Sequence, residues 1–246
     1  MTSQFDYSEH PDSLSALIAH GEVLKNRKEF VRAKEVFERA IELNPGDTFL
    51  LQRLALVTYK SRLPDPLEAL QRALKILSPL NPLKSNDPET LGLSGSIYKK
   101  LYEETGDVSF LEKSVWYYER GFSISKSHYN GINLAYLHVV KAANEEKKSA
   151  ASTLYTKSVI INESIISICI NLIISPDFGS RNDKEYIYQT LAQAYLGLGQ
   201  NHEVIKLIPT INEISKGSFD LDVFHEQNSK LIDALVKFKK MHPEFG

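Results

Sequence analysis

Hydrophobic residues recur along this chain at the three- and four-residue spacing of α-helices, in runs that turn signals separate. The clearest run is residues 14–45. Counted with Leu14 as position 1, its small and large residues occupy positions 4, 8, 11, 20, 24, 27 and 32, namely Leu17, Gly21, Leu24, Ala33, Phe37, Ala40 and Pro45. Small residues at positions 8 and 20 allow two antiparallel helices to approach closely, and the proline ends the second helix.

This small/large pattern is typical of a tetratricopeptide repeat, a helix–turn–helix unit that buries its apolar face only against neighbouring units. It continues, less regularly, along the chain. We predict repeats at 14–47, 48–82, 88–126, 129–175 and 184–214, with the first pair of helices at about 12–26 and 30–43, and an amphipathic capping helix at about 221–241. The predicted fold is all-α, a right-handed superhelix (solenoid) of about five helix pairs in a single domain, 1–246.

The third predicted repeat is enlarged. Gly95 and Ser114 correspond to Gly21 and Ala33 of the first repeat, but 19 residues separate them instead of 12. The surplus amounts to about two helical turns, so the first helix of this repeat is expected to continue to about Glu104. A longer helix overhangs the array and can shape a groove.

The isoleucine-rich segment 159–174 could form a membrane span, a strand or a buried helix. It contains Asn162, Glu163 and Asn171, and it is shorter than the roughly 20 apolar residues that a span needs. Helical patterns on both sides favour a buried helix, and no membrane contact is expected.

Composition argues against several functional classes. The formal net charge of −2 gives no global basic field for nucleic acid or an anionic membrane. The single cysteine, Cys169, is expected to be a buried small hydrophobe in a reducing compartment. Residues 1–12 are polar and lack the features of a secretory signal, which favours a cytoplasmic location.

Patterns of catalytic residues are also absent from the sequence. The seven histidines form no His-x-x-x-His pair and lie beside no cysteine, so no metal site is expected. Asp177-Phe178-Gly179 matches a kinase tripeptide in spelling only, since the other kinase motifs are missing. We therefore predict a protein that is not an enzyme and uses no cofactor.

Three segments of the middle repeats form a more specific series. They read ETLGLSGSIYK from residue 89, YYERGF from residue 117 and YNGINLA from residue 129. In this order and spacing they resemble a divergent tetratricopeptide family that includes the TRAFs-binding central regulatory region of apoptosis-signal-regulating kinases and bacterial TIR-associated proteins. The resemblance covers about 87–214. It implies a regulatory scaffold that binds partners or a signal and controls an effector, in bacteria within defence systems.

Aromatic, amide and basic residues cluster in these repeats, and they are the candidate partner- or ligand-binding residues: Tyr98, Tyr102, Tyr117, Arg120, Tyr129, Asn130 and Asn133. Asparagine side chains can clamp a peptide backbone, and arginine can bind a carboxylate or phosphate. The alternative is structural: Tyr98 belongs to the core, Asn130 begins a turn and Asn133 caps a helix. Arg120 would then pair with an acidic residue of its own helix.

Two functions follow from the sequence. The first is a non-enzymatic scaffold that regulates a separate effector, such as a TIR-domain protein or a kinase, through protein–protein contact in a bacterial defence or stress-signalling system. The alternative is a sensor module that binds a nucleotide or another small anion with the middle repeats. Self-association is also possible, because the ends of a repeat array carry apolar surface.

Overall fold

In the computed structural model of the chain, residues 13–215 and 220–245 are described, and within them the chain forms eleven α-helices, three 3₁₀ helices and no β-strand. The α-helices are α1 Leu14–Asn26, α2 Phe30–Leu43, α3 Thr48–Ser61, α4 Pro66–Leu77, α5 Pro88–Thr105, α6 Val108–Ser125, α7 His128–Ala142, α8 Lys148–Ile173, α9 Lys184–Gly197, α10 Asn201–Ile214 and α11 Asp220–Met241. The prediction of an all-α fold is confirmed. The segment 1–12, with its predicted lack of a secretory signal and the predicted helix start at residue 12, lies outside the described residues.

Side-chain caps determine where several of these helices begin. Ser13, Asp47, Asp65 and Asp87 each accept a hydrogen bond from a backbone amide in the first turn of the following helix. These bonds satisfy amides that have no partner inside the helix. Each of these four caps precedes the first helix or the second helix of a predicted repeat.

The chain divides into two compact units, Met1–Tyr117 and Tyr118–Gly246. In the first unit, α1 packs on α2, α2 on α3, α3 on α4, and α4 on α5. Gly21 permits the close approach of α1 and α2, because a Cβ atom at this position would lie 2.7 Å from Cζ of the fully buried Phe37. The small residue at position 8 therefore has the role that the repeat pattern predicts.

The predicted lengthening of the first helix of the third repeat is observed. Helix α5 has 18 residues, whereas α1 has 13 and α3 has 14. It ends at Thr105, and Gly106 follows in the left-handed region at φ 71°, which favours glycine. The corresponding small residues remain in contact, since the Ser114 hydroxyl donates a 2.8 Å hydrogen bond to the Gly95 carbonyl.

In the second unit, α7 packs on α8, α8 on α9, and α9 on α10. Gly131 in α7 lies where helices approach closely, because a Cβ atom there would lie 2.4 Å from Cδ1 of Ile165 and 2.7 Å from the Phe122 ring. The terminal helix α11 is present at the predicted position. Its main contacts are with α7 and α9, so it covers the side of the array that these two helices form.

The segment 159–174 is helical, as predicted, but the prediction that this helix is buried is wrong. It belongs to α8, which has 26 residues, and only 22% of its most apolar 18-residue stretch is buried. One stripe, which includes Ser158, Ile165 and Cys169, is buried, while Ile160 and Ile174 are exposed. By length and composition alone, α8 is long and apolar enough to cross a membrane.

Candidate functional site

The first helices of the repeats in the first unit (α1, α3 and α5) are joined by charged side chains. Arg53 of α3 lies between two carboxylates: its Nε is 3.0 Å from Glu22 Oε1 of α1, an ion pair without hydrogen-bond alignment. Its Nη1 donates to Glu89 Oε1 of α5 at 3.1 Å. One guanidinium therefore links three helices that are separated in sequence.

A second polar group lies beside this ion triad. Gln52 Nε2 donates to Asp87 Oδ2 at 2.6 Å and to Thr90 Oγ1 at 2.9 Å. Asp87 is the N-cap of α5, and the same carboxylate oxygen accepts from the Thr90 amide at 2.8 Å. Gln52 and Thr90 are buried, so their hydrogen bonds offset the cost of removing these polar groups from water.

The first helix of a repeat is its A helix, and we therefore call these residues, with the adjacent Phe49, the A-helix face: Glu22, Phe49, Gln52, Arg53, Asp87, Glu89 and Thr90. The Arg53 guanidinium lies 4.6 Å from the centre of the Phe49 ring, and both side chains are partly accessible. The face combines three carboxylates, one guanidinium and one aromatic ring. It can form ion pairs and hydrogen bonds with a bound segment of another protein.

In the first unit, the predicted site residues Tyr98 and Tyr117 pack against each other. Their rings are stacked at 5.5 Å with an interplanar angle of 8°, and Phe110 stacks on Tyr98 at 6.0 Å. Burial, and to a lesser extent electrostatic repulsion from the Tyr98 hydroxyl, raises the pKa of Tyr117 to about 12. Tyr102 is half-buried, and its carbonyl accepts the amide of Gly106 at the end of α5.

In the second unit, Asn130 and Asn133 are buried in α7, whereas Arg120 of α6 is half-buried and Tyr129 is 45% exposed. Asn133 Nδ2 donates to the Tyr129 carbonyl at 2.9 Å, within the same helix. Asn130 lies against Gly121, where an added Cβ atom would be 2.8 Å from its Nδ2. These contacts are compatible with the structural alternative for the two asparagines, and the binding role of the whole set stays a prediction.

The A-helix face was missed by the sequence analysis. If Leu51 is position 4 of the second repeat, Gln52 and Arg53 occupy positions 5 and 6, where the first repeat has Ile18 and Ala19. A polar pair at positions that are apolar in a neighbouring repeat is the signal that could have identified this surface.

Within residues 13–215 and 220–245, which the structure describes, no three or more histidine, cysteine or acidic side chains cluster in a way that could hold a metal ion. Cys169 is buried, as predicted, and burial raises the pKa of its thiol to about 12. At neutral pH this thiol is protonated, which makes it a poor nucleophile and metal ligand.

Comparison with known proteins identifies a family match and structural neighbours. Residues 29–138 match a family described as Tetratricopeptide Repeats-Sensor. The fold is similar to the crystal structure of a thermophilic tetratricopeptide protein of Thermus thermophilus, with a TM-score of 0.56, 18% sequence identity, and coverage of 89% of this chain and 100% of that one. No curated protein matches the chain.

The structure of MamA protein is a more distant neighbour, with a TM-score of 0.44, 15% identity, and coverage of 82% of this chain and 92% of that one. The fold comparison therefore depends on the Thermus protein. Proteins with this fold generally mediate protein–protein contacts and are generally not catalysts. The match over 29–138 and the shared helical fold support the tetratricopeptide-repeat family for this chain.

Proposed function

We propose that this chain is a non-enzymatic interaction scaffold that regulates a separate effector, and that the A-helix face binds its protein partner. The observation that carries the proposal is the bridge from Glu22 through Arg53 to Glu89, which holds charged groups of three helices together at a partly accessible surface. Residues from successive repeats can contact successive positions of an extended partner segment.

The chemistry of the face indicates the kind of segment that it would bind. Arg53 already pairs with Glu22 and Glu89, but the Glu89 side chain is 51% exposed and can accept a further cationic group. The Phe49 ring offers an apolar contact beside it. We therefore expect a partner segment that places a lysine or arginine next to an apolar side chain.

The chain offers a closely matched pair of variants to test this surface. Glu89→Lys reverses a charge on the A-helix face, whereas Glu68→Lys makes the same change on α4. Both glutamates lie in the first turn of a helix that an aspartate caps, both pair with an arginine, and their side chains are 51% and 43% exposed.

Binding of the full chain to the products of genes adjacent to its own would be measured by titration calorimetry. We expect Glu89→Lys to weaken binding at least about tenfold, since one charge-assisted contact is worth about 1.5 kcal/mol or more. Glu68→Lys should bind as the original chain does. Equal loss in both variants, or no binding to any neighbouring product, would contradict the proposal.

The regulatory part of the proposal places the chain in the cytoplasm, in a bacterial defence or stress-signalling system, with a TIR-domain protein, kinase or other effector as its partner. The resemblance of the middle repeats to regulatory tetratricopeptide regions supports this context. Deletion of the gene should change the output of the neighbouring effector. Unaltered output under phage challenge and stress would count against regulation even if binding were retained.

A second candidate function is ligand sensing, which the description of the matching family as a sensor favours. The matched range, 29–138, contains all seven predicted site residues. A thermal-shift panel of nucleotides would test this candidate, with Arg120→Ala expected to abolish the shift. Arg72→Ala, which removes an exposed arginine from α4, is the control. A shift that survives Arg120→Ala would place the ligand elsewhere.

A further inference from the structure

The chain uses its own C-terminal helix to cover part of the second unit. Helices α7 and α9 are the first helices of the fourth and fifth repeats, and α11 contacts both of them. Near its start, Phe224 packs with Ala192 of α9 and Ile211 of α10. Near its end, Phe238 packs with Ala142 and Ala143 at the end of α7 and with Ala151 of α8. Helix α11 therefore extends from one repeat back to the preceding one.

A regular stripe of residues runs along α11 and continues to the residue that follows it. They are spaced alternately four and three apart: Phe224, Asn228, Leu231, Leu235, Phe238 and His242. This is the spacing by which an amphipathic helix lies in a groove formed by other helices. Phe224, Leu231, Phe238 and His242 are buried, and Leu235 is half-buried. The pairing of α11 with the α7/α9 surface thus has the form of helix-in-groove recognition.

Phe238 is the anchor of this contact. It is fully buried and lies in a pocket of small residues, Ala142, Ala143 and Ala151. The Tyr155 ring of α8 stacks on it at 4.5 Å. An aromatic side chain in a pocket with small walls is the usual anchor of such interfaces, because it buries a large apolar area with little loss of conformational freedom.

Polar contacts at the end of α11 add little to this anchor. Lys237 Nζ donates to Asn144 Oδ1 at 2.5 Å, and His242 Nε2 lies 3.1 Å from the Glu145 carbonyl. The Lys237 pair is exposed to solvent, so water competes with this hydrogen bond and little net stabilisation remains. The interface therefore depends mainly on the aromatic anchor.

The middle of the α11 stripe fits less well than its two ends. The side-chain oxygen of Asn228 is buried without a hydrogen-bond partner. A buried acceptor without a donor destabilises the contact that buries it. A helix with an apolar residue at this position would avoid that cost. The groove is therefore occupied by a segment that a better-fitting helix could replace.

We propose that the α7/α9 surface is the docking groove for an amphipathic helix of a protein partner, and that α11 occupies this groove as an autoinhibitory segment. The partner helix carries the same stripe with alternating four- and three-residue spacing. An aromatic residue of this helix takes the place of Phe238 in the alanine pocket, and an apolar residue takes the place of Asn228. The inference rests on the proposed function only in assuming a protein partner. It concerns a surface distinct from the A-helix face.

Hydrogen exchange on the full chain is the first test. If α11 leaves the groove without unfolding of the repeats, its amides exchange at least about tenfold faster than those of α7 and α9. Asn228→Leu should slow exchange of α11, and Phe238→Ala should accelerate it. Exchange of α11 at the same rate as α7 in the unaltered chain would overturn the proposal, because α11 would then be an integral part of the fold.

The second test is binding in trans. A fluorescent peptide of residues 221–242 is added to the full chain, and its anisotropy is measured. The Phe238→Ala chain should bind the peptide at least about tenfold more tightly than the unaltered chain does, and a peptide carrying Asn228→Leu should bind more tightly still. Val236→Ala, at an outward position that is 61% exposed, should leave binding unchanged.

Equal binding of the peptide to the unaltered and Phe238→Ala chains would overturn the proposal. If Phe238→Ala does not fold, the hydrogen-exchange comparison in the unaltered chain still decides the question. Neither measurement involves an effector or the A-helix face. Failure here would therefore leave the Glu89→Lys and Glu68→Lys comparison intact, and failure of that comparison would leave the groove untouched.

Discussion

The contact between Gly21 and Phe37 tests the physical meaning of the repeat pattern. Replacement of Gly21 by alanine has two opposing effects on the free energy of unfolding. Alanine favours the helix by about 1 kcal/mol relative to glycine. However, its Cβ would lie 2.7 Å from Cζ and 2.8 Å from Cε1 of the Phe37 ring. Because Phe37 is fully buried among other core residues, the ring cannot move away freely.

Overpacking of this kind typically costs about 1–3 kcal/mol. The net expectation for Gly21→Ala is therefore destabilisation by about 0–2 kcal/mol. In a Phe37→Leu chain the two atoms that clash are absent, and the propensity term should dominate. Gly21→Ala is then expected to stabilise that chain by up to about 1 kcal/mol. The sign of the effect should thus reverse between the two backgrounds, with a coupling energy of about 1–3 kcal/mol.

Urea denaturation of the four chains would measure this cycle. The single tryptophan, Trp116, lies in the first unit, so its fluorescence reports the unfolding of the unit that contains the contact. Far-UV circular dichroism would monitor both units. Stabilisation by Gly21→Ala in both backgrounds, or equal destabilisation in both, would refute the argument that the glycine exists to admit the Phe37 ring.

Three further predictions concern the cap, the cysteine and a buried tyrosine. Asp87→Ala should destabilise the first unit by about 1–3 kcal/mol, because it removes the N-cap of α5 and the acceptor for Gln52. Asp87→Asn should retain most of the cap. The same urea titration checks both variants. The Cys169 thiol, with a pKa of about 12, should react with a thiol reagent at about pH 8 only after denaturant is added. Burial raises the pKa of Tyr117 from 10.0 to about 12. The stability that the neutral phenol contributes is therefore complete below pH 10 and should be lost as the pH rises toward 12. Ultraviolet titration would follow the ionisation of Tyr117, and Trp116 fluorescence would follow unfolding.

The architecture was predictable because residue size determines where consecutive helices meet. Gly21 and Ala33 mark the closest approach of α1 and α2, and counting from these positions placed the first repeat. The same count from Gly95 to Ser114 placed the end of α5 within one or two residues of Thr105. These inferences succeed because local spacing determines which residues of two consecutive helices come into contact.

The extent to which α8 is buried was not predictable from its number of apolar residues, since that number does not say which side of a helix has a neighbour. Ser158, Asn162, Ile165 and Cys169 face α7 and α9 at alternating spacings of four and three. Ile160 and Ile170, on the other side of the helix, are exposed. A count by helical face, rather than by segment, would have separated the two sides.

The A-helix face was missed for a related reason. The cap that Asp87 makes on α5 involves only near neighbours in sequence, but its bond to Gln52 joins residues 35 positions apart. Such a pair exists only after two repeats have stacked. The sequence can indicate that Gln52 is unusual at its repeat position, yet only the structure supplies the partner.

Two asparagines of the second unit, Asn130 and Asn162, each pack against a glycine of a neighbouring helix. Asn130 lies against Gly121, where an added Cβ would be 2.8 Å from its Nδ2; Asn162 lies against Gly197 in the same manner, at 2.6 Å. Asn162 was not a candidate site residue, and it nevertheless makes the same contact between neighbouring helices. Packing of an amide on a glycine is therefore compatible with a structural role for Asn130, and its binding role stays a prediction. A search for a ligand of the middle repeats should accordingly begin with Arg120 and Tyr129, whose side chains are not fully buried.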